Sequence, residues 1–244
     1  MAEPQQTLAQ SIMQQIGMQI ILGYYKDNML PGENELAQQF SASRTSIRNA
    51  LQQLSSKGLI SIQPKKRSVI NPRDEWNFLD YDLLKWVGKA GVSPELFKQL
   101  VVLRLMFEPN ASALAANFAT GADLADLEKA WFLMQKGHEQ DSLALFEQGD
   151  IDFHYALLKA CHNPFLFSIG NAIQEALILS FKHTQEKSAR ETTESVKMHK
   201  LLFDAIRLKD SHNAKKLMKE IILTAATRHF PNLDQEKYLD ILDR

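Results

Sequence analysis

The sequence predicts a mainly α-helical fold with two domains. Its 244 residues exceed the usual size of one domain, and its composition is that of an ordinary globular protein. Apolar residues recur at helical spacing in most long segments, whereas residues 59–63, "LISIQ", alternate apolar and polar residues as a strand does. Residues 36–73 carry basic residues but no acidic one. We therefore expect a helical N-terminal domain with one small hairpin and a larger all-α C-terminal domain.

Residues 1–72 are predicted to form a winged helix-turn-helix. Helical periodicity marks one helix within residues 7–26, a short second one in "NELAQQF" and a third in "RTSIRNALQQLSSKG". Ser43 is a natural N-cap for the third helix, and Gly58 stands where a helix end favours positive φ. The hairpin follows, with "LISIQ" and "SVI" as strands around "PKKR". Three helices and a two-stranded wing define this fold class.

The N-terminal domain has an unusual charge pattern. The chain carries 29 acidic and 28 basic residues, yet residues 36–73 contain seven basic residues and no acidic one. Such a segment suits a polyanion, and a winged domain inserts the start of its third helix into the major groove of DNA. The alternative is a solvated basic surface without a partner. The expected DNA contacts are Ser43, Arg44, Thr45, Ser46, Arg48, Lys65, Lys66 and Arg67.

The stretch "LPGENELAQQFSASRTSIRNALQQLSSKGLISIQ" resembles the N-terminal domain of the GntR family of bacterial transcription regulators. The resemblance covers about residues 8–72. It implies that Ser43, Arg44, Thr45 and Arg48 occupy DNA-contacting positions. Asn34 departs from the pattern, because some members carry a DNA-contacting arginine there. Asn34 can hydrogen-bond a phosphate but supplies no charge.

Residues 73–92 are predicted to be a linker that packs rather than a flexible one. Trp76 and Trp86 stand among leucines, which favours anchoring in an apolar environment over stacking on a ligand. The pattern of "WNFLDYDLLKW" also resembles the junction in sugar-acid regulators of the FadR-type branch, especially galactonate-responsive ones. We expect these tryptophans to be structural.

Residues 93–230 are predicted to form an antiparallel all-α bundle for ligand sensing and dimerisation, followed by a C-terminal tail at 231–244. Thr120 and Asp210 are credible helix N-caps because each precedes a helical pattern. Pro109 lies within "RLMFEPNASALAA" and is expected to kink that helix. Cys161 is expected to be a buried small apolar residue.

Three ionisable residues of the bundle are candidate metal ligands. Asp150 and His154 are four residues apart and therefore share one helix face, while His199 lies on a later helix. Together they offer oxygen and nitrogen ligands for Zn²⁺, Ni²⁺ or Mn²⁺, with open positions for a carboxylate. In the alternative without metal, Asp150 only orients His154 through a hydrogen bond.

Residues 94–229 resemble the C-terminal domain of FadR-type regulators. The resemblance implies that Asp150, His154 and His199 occupy three of four metal-ligand positions. The fourth position holds Ile221, which cannot coordinate a metal. The resemblance also implies that Arg104, followed by Glu108, faces the cavity and that Arg228 lines it, so either arginine can bind an effector carboxylate. Without metal, the same polar residues would hydrogen-bond a polyhydroxylated ligand directly.

The combined expectation is a homodimeric repressor that releases operator DNA when a sugar acid such as galactonate binds. The alternatives are a regulator of another acid (a hydroxy acid, a uronate or a fatty acyl thioester), a DNA-binding protein without an effector, and a metal-dependent helical-bundle enzyme. No recognisable nucleophile motif accompanies Asp150 and His154, which argues against the enzyme. One cysteine, no apolar run of membrane-spanning length and no signal-peptide pattern predict a cytoplasmic protein.

Overall fold

The computed structural model describes residues 7–63, 66–91, 93–170 and 188–229. The chain divides into two compact units, Met1–Val92 and Ser93–Arg244. In the described ranges, no helix combines the length and apolar character needed to cross a membrane. Helices dominate both units, so the predicted mainly α fold is confirmed.

The first unit contains the predicted three helices and wing. Its elements are α1 Leu8–Ile21, α2 Glu33–Gln39, α3 Arg44–Ser56, β1 Ile60–Ser61, β2 Val69–Ile70 and α4 Tyr81–Ala90. The side chain of Ser43 accepts a hydrogen bond from the backbone N–H of Ser46, which confirms the predicted cap of α3. Gly58 has φ +78° just after α3, and a Cβ there would collide with the carbonyl oxygen of Glu75. Glycine is therefore required at this turn.

The wing is tied to the segment that leads into α2. β1 and β2 are antiparallel, with Ile60 opposite Ile70. On the other side of β2, the N–H of Leu30 donates to the carbonyl oxygen of Ser68 at 2.9 Å, and the N–H of Ile70 donates to that of Asn28 at 2.8 Å. These bonds fix the start of α2 beside the second wing strand.

Both tryptophans of segment 73–92 lie in the core of the first unit. Trp76 and Trp86 join the buried cluster that includes Ile16 of α1. The Trp86 ring lies so close to Gly17 that a Cβ at that position would overlap it. The indole N–H of Trp76 donates to the carbonyl oxygen of Asn71 at 2.9 Å. The segment is thus held by apolar packing, as expected for structural tryptophans.

Lys57 is largely buried against this segment and is not part of an open basic surface. Its Nζ lies 2.9 Å from Oδ2 of Asp80 and 2.7 Å from Oδ2 of Asp82. Burial alone would lower the pKa of Lys57, but the bonds to Asp82 and Asp80 raise it above its usual value. One of the seven basic residues is therefore neutralised by carboxylates that follow the acid-free segment.

The second unit is built from long helices. Its elements are α5 Pro94–Phe118, α6 Gly121–Glu139, α7 Leu143–Ala160, α8 Pro164–Ser168, α9 Thr193–Arg207 and α10 Ser211–His229. α5 packs against α7 and α10, and α6 packs against α7 and α9. Thr120 caps α6, and Asp210 accepts a hydrogen bond from the N–H of Asn213. α5 continues past the buried Pro109 as one helix. The predicted tail, 231–244, lies outside the described residues.

Candidate functional site

The start of α3 presents polar side chains to solvent. Arg44, Thr45 and Arg48 are exposed, while Ile47 faces the core. The hydroxyl of Ser46 lies 3.0 Å from that of Ser43, so both serines take part in the cap. This face carries arginine and hydroxyl donors that suit base edges and phosphates.

A groove of about 690 Å³ lies between α2, α3 and the wing. Its lining includes five of the predicted DNA-contacting residues, namely Asn34, Arg44, Arg48, Lys66 and Arg67. Ser43, Thr45 and Ser46 lie at the start of α3. Lys65 lies outside the described residues. Residues from three elements are therefore brought to one surface.

Two carboxylates from outside the acid-free segment also line this groove. Oε2 of Glu33 lies 2.9 Å from Nε of Arg48, and Oε1 of Glu35 lies 3.1 Å from Nη2 of Arg67. Both glutamates precede the acid-free segment and belong to the first turn of α2. Counting charges along the chain missed both ion pairs, because the arginines lie 15 and 32 residues after the glutamates that they contact.

The second unit contains a buried cluster formed by Asp150, His154 and His199. These side chains are 5%, 1% and 1% exposed. Nε2 of His199 lies 3.2 Å from Oδ1 of Asp150 and 3.4 Å from Nε2 of His154, and one ligand atom from each residue lies within 4.8 Å of the others. The structure thus brings the three predicted ligands together from α7 and α9. Within the described part of the chain, this is the group that is close enough to share an ion.

The outer nitrogens of both imidazoles face acceptors. Nδ1 of His199 lies 2.8 Å from the carbonyl oxygen of Ser195, so this nitrogen must carry the hydrogen. Nδ1 of His154 lies 2.5 Å from Oε2 of Glu108. The ring of His154 on α7 is therefore in direct contact with a carboxylate on α5. Burial is the largest influence on His199 and lowers its pKa, although Asp150 opposes this shift. Burial thus favours the neutral form of His199, whose Nε2 faces the cluster.

Glu108 connects the cluster to Arg104. Nε of Arg104 lies 2.6 Å from Oε1 of Glu108, and both side chains are buried. Burial alone would raise the pKa of Glu108, but Arg104 and His154 outweigh it and lower the pKa to about 2. Glu108 is thus ionised and holds both neighbours. Spacing along the chain did not predict the contact between Glu108 and His154, because the two residues lie on different helices.

Ile221 and Arg228 both belong to α10. Ile221 is buried on α10, and its side chain has no atom that can coordinate a metal. The backbone of Arg228 belongs to α10, but its side chain lies outside the described residues.

Comparison with known proteins gives the same two-part division. Residues 8–70 match the gntR family of bacterial regulatory proteins, and residues 99–224 match the FCD domain. The chain is 34% identical to the galactonate operon transcriptional repressor of Escherichia coli K12, over 87% of this chain and 93% of that protein. It is 30% identical to the HTH-type transcriptional repressor NanR of Salmonella newport, over 82% of this chain and 76% of NanR.

Solved structures share the fold at low sequence identity. Lar, which controls expression of the Listeria monocytogenes agr system, superposes with a TM-score of 0.65 at 19% identity, over 94% of this chain and 100% of Lar. McbR/YncC of E. coli gives a TM-score of 0.56 at 19% identity, over 93% of this chain and 99% of that protein. The matched relatives are transcriptional regulators and not enzymes. The chain therefore belongs to the GntR family of bacterial transcriptional regulators, carries an FCD domain in its C-terminal half, and is a DNA-binding regulator.

Proposed function

We propose that the protein is a homodimeric repressor that releases its operator when a small carboxylate, most specifically a sugar acid such as galactonate, binds the second unit. The observation that carries the effector proposal is the buried polar cluster of Asp150, His154 and His199 beside the Arg104–Glu108 pair. Burying ionisable groups in a helical bundle costs free energy unless they are paired, hydrogen-bonded or bound to a ligand or metal. The 34% identity to a galactonate operon repressor supports this acid class.

A divalent cation fits the donor set of the cluster. Nδ1 of His199 donates to a carbonyl group and Nδ1 of His154 faces an ionised carboxylate, so Nε2 is the nitrogen that each ring turns toward the cluster. The two Nε2 atoms and an oxygen of Asp150 then lie together, which is the kind of donor set that a divalent cation requires. Asp150, His154 and His199 would hold Zn²⁺, Ni²⁺ or Mn²⁺, which would supply an electrophilic centre for a carboxylate. Ile221 adds no ligand, so positions remain for water or the effector.

Arg104 and Arg228 are the proposed counter-charges for the effector. The hydrogen bonds to Glu108 use Nε and Nη2 of Arg104, so an acid would use the remaining guanidinium donors. The ionisable side chains of the cluster can hydrogen-bond hydroxyl groups, which favours a polyhydroxy acid over a fatty acyl thioester. Other hydroxy acids and uronates share this chemistry and serve as comparison ligands.

DNA recognition is proposed to use one winged domain from each of two subunits. A single domain reads a few base pairs, whereas two domains related by a two-fold axis read a palindrome with regulatory affinity. The proposed contacts are Asn34, Ser43, Arg44, Thr45, Ser46, Arg48, Lys65, Lys66 and Arg67.

The test combines metal analysis with DNA binding. Operator duplexes are selected from a random library by the wild-type protein, and their affinity is titrated against galactonate, other aldonates and uronates. We expect galactonate to weaken operator binding by wild type but not by the Arg104→Ala or His154→Ala variants, and His154→Ala to lose bound metal. His212→Ala is the control because His212 is exposed on α10. An acyl thioester that released DNA while every sugar acid failed would refute the effector class.

A further inference from the structure

The contact between α2 and the wing has two parts. Both carboxylate oxygens of Glu35 accept hydrogen bonds from Nη2 of Arg67, at 3.1 and 3.3 Å. Oε2 of Glu35 also accepts the backbone N–H of Gly32 at 2.9 Å, which caps α2. One side chain therefore serves as a helix cap and as an anchor for an arginine of the wing.

The backbone brings these partners together. The hydrogen bonds from Leu30 to Ser68 and from Ile70 to Asn28 hold the second wing strand against the segment preceding α2. These backbone hydrogen bonds place Arg67 beside Glu35. Across the same groove, Glu33 contacts Arg48 of α3. Two carboxylates from one helical turn thus each hold one arginine of the DNA-facing groove.

The guanidinium group of Arg67 keeps donors for a second partner. The bonds to Glu35 use only Nη2, and arginine has five N–H donors in a fixed fork. Arg67 can therefore contact a phosphate through Nε or Nη1 while Nη2 remains on Glu35. A phosphate in register with α3 meets an oriented donor, whereas one that approaches out of register can bind Arg67 only by displacing Glu35 from it.

We propose that Glu35 is a specificity-determining positioning residue for DNA binding. It holds Arg67 in the orientation used on the operator and disfavours loosely placed, non-specific DNA. This inference rests on the proposed function of Arg67 as a DNA contact. Glu35 needs no contact with DNA to act in this way, because its effect passes through Arg67.

Glu35→Gln separates the two roles of this side chain. Glutamine can still accept the Gly32 N–H bond, so the α2 cap is kept while the charge is removed. We expect an unchanged melting temperature, operator affinity within about 2-fold of wild type, and binding to a non-operator duplex tightened by about 2- to 5-fold, as for an exposed pair. The salt dependence of non-operator binding should steepen by about one counterion. The ratio of operator to non-operator affinity therefore falls.

Two further variants identify the route of the effect. In an Arg67→Ala background, Glu35→Gln should leave non-operator affinity unchanged, because the guanidinium group that Glu35 positions is absent. Asp74→Asn is the matched control, since it makes the same change in net charge on the exposed turn at Arg73–Glu75. It should not reproduce the loss of selectivity.

The outcomes distinguish this inference from the proposed DNA contacts. Unchanged selectivity in Glu35→Gln, or an equal effect in the Arg67→Ala background or in Asp74→Asn, would overturn the role of Glu35 while Arg67→Ala still weakened DNA binding. If Arg67→Ala and Lys66→Ala both left every duplex affinity unchanged, the proposed wing contact would fail, and the role of Glu35 would fail with it.

Discussion

The ion pairs of the two units differ in their access to water. In the first unit, the side chains of Arg48 and Glu33 are 63% and 36% exposed, and those of Arg67 and Glu35 are 53% and 57% exposed. In the second unit, Arg104 and Glu108 are 4% and 0% exposed. Exposed pairs are screened and can exchange one partner for a phosphate, whereas a buried pair cannot lose a partner without leaving an uncompensated charge. The same chemistry thus gives an adaptable surface groove in the first unit and a fixed buried site in the second.

The largest expected effect comes from breaking the buried pair. Glu108→Ala leaves Arg104 charged and without its carboxylate, so we expect the unfolding free energy of the second unit to fall by about 3–5 kcal/mol. Glu33→Gln removes a carboxylate from an exposed pair and should cost less than about 1 kcal/mol in the first unit. Urea unfolding of both variants measures the contrast. Equal losses in the two units would remove the distinction between them.

Acid should abolish the contribution of Glu108. The pKa of Glu108 is about 2 in the folded chain, below its ordinary value of 4.5, so the unfolded chain binds the proton first as pH falls. Its stabilisation is complete above about pH 4.5 and is lost as pH falls toward 2. The stability difference between wild type and Glu108→Gln, followed by urea unfolding at decreasing pH, should therefore shrink in that window. A pH-independent difference would contradict an ionised Glu108.

The next effect concerns base recognition by α3. Arg44→Ala should weaken operator binding by about 1–3 kcal/mol and relax base preference at one position of each half-site. Affinity for a panel of single-base operator variants measures both quantities. Arg207→Ala, which removes an exposed arginine from the second unit, is the control. Wild-type affinity and selectivity in Arg44→Ala would show that α3 is not the recognition helix.

The smallest effect is expected from the wing. Lys66→Ala should weaken all duplexes similarly, by less than about 1 kcal/mol, and reduce the salt slope by about one. Titrations at several salt concentrations compare it with Arg44→Ala. Operator-selective weakening by Lys66→Ala would instead indicate base reading by the wing.

Local features were the most predictable from sequence. The caps at Ser43 and Thr120 depend on residues within one helical turn, and both form as expected. Asp150 and His154 share a face because four residues make about one turn. Only the family resemblance placed His199 beside them, because spacing along the chain does not show that α9 packs near α7.

The sequence by itself determined the helices, the wing, the basic segment and the pair on α7, because these follow from periodicity, capping and local spacing. Only the tertiary structure decided which charges meet. It brings Glu33 and Glu35 to arginines 15 and 32 residues away, and it brings Asp80 and Asp82 to Lys57. It also sets Glu108 of α5 against His154 of α7. The physical reason is that Coulomb and hydrogen-bond energies depend on distance in space, which helix packing fixes and residue order does not.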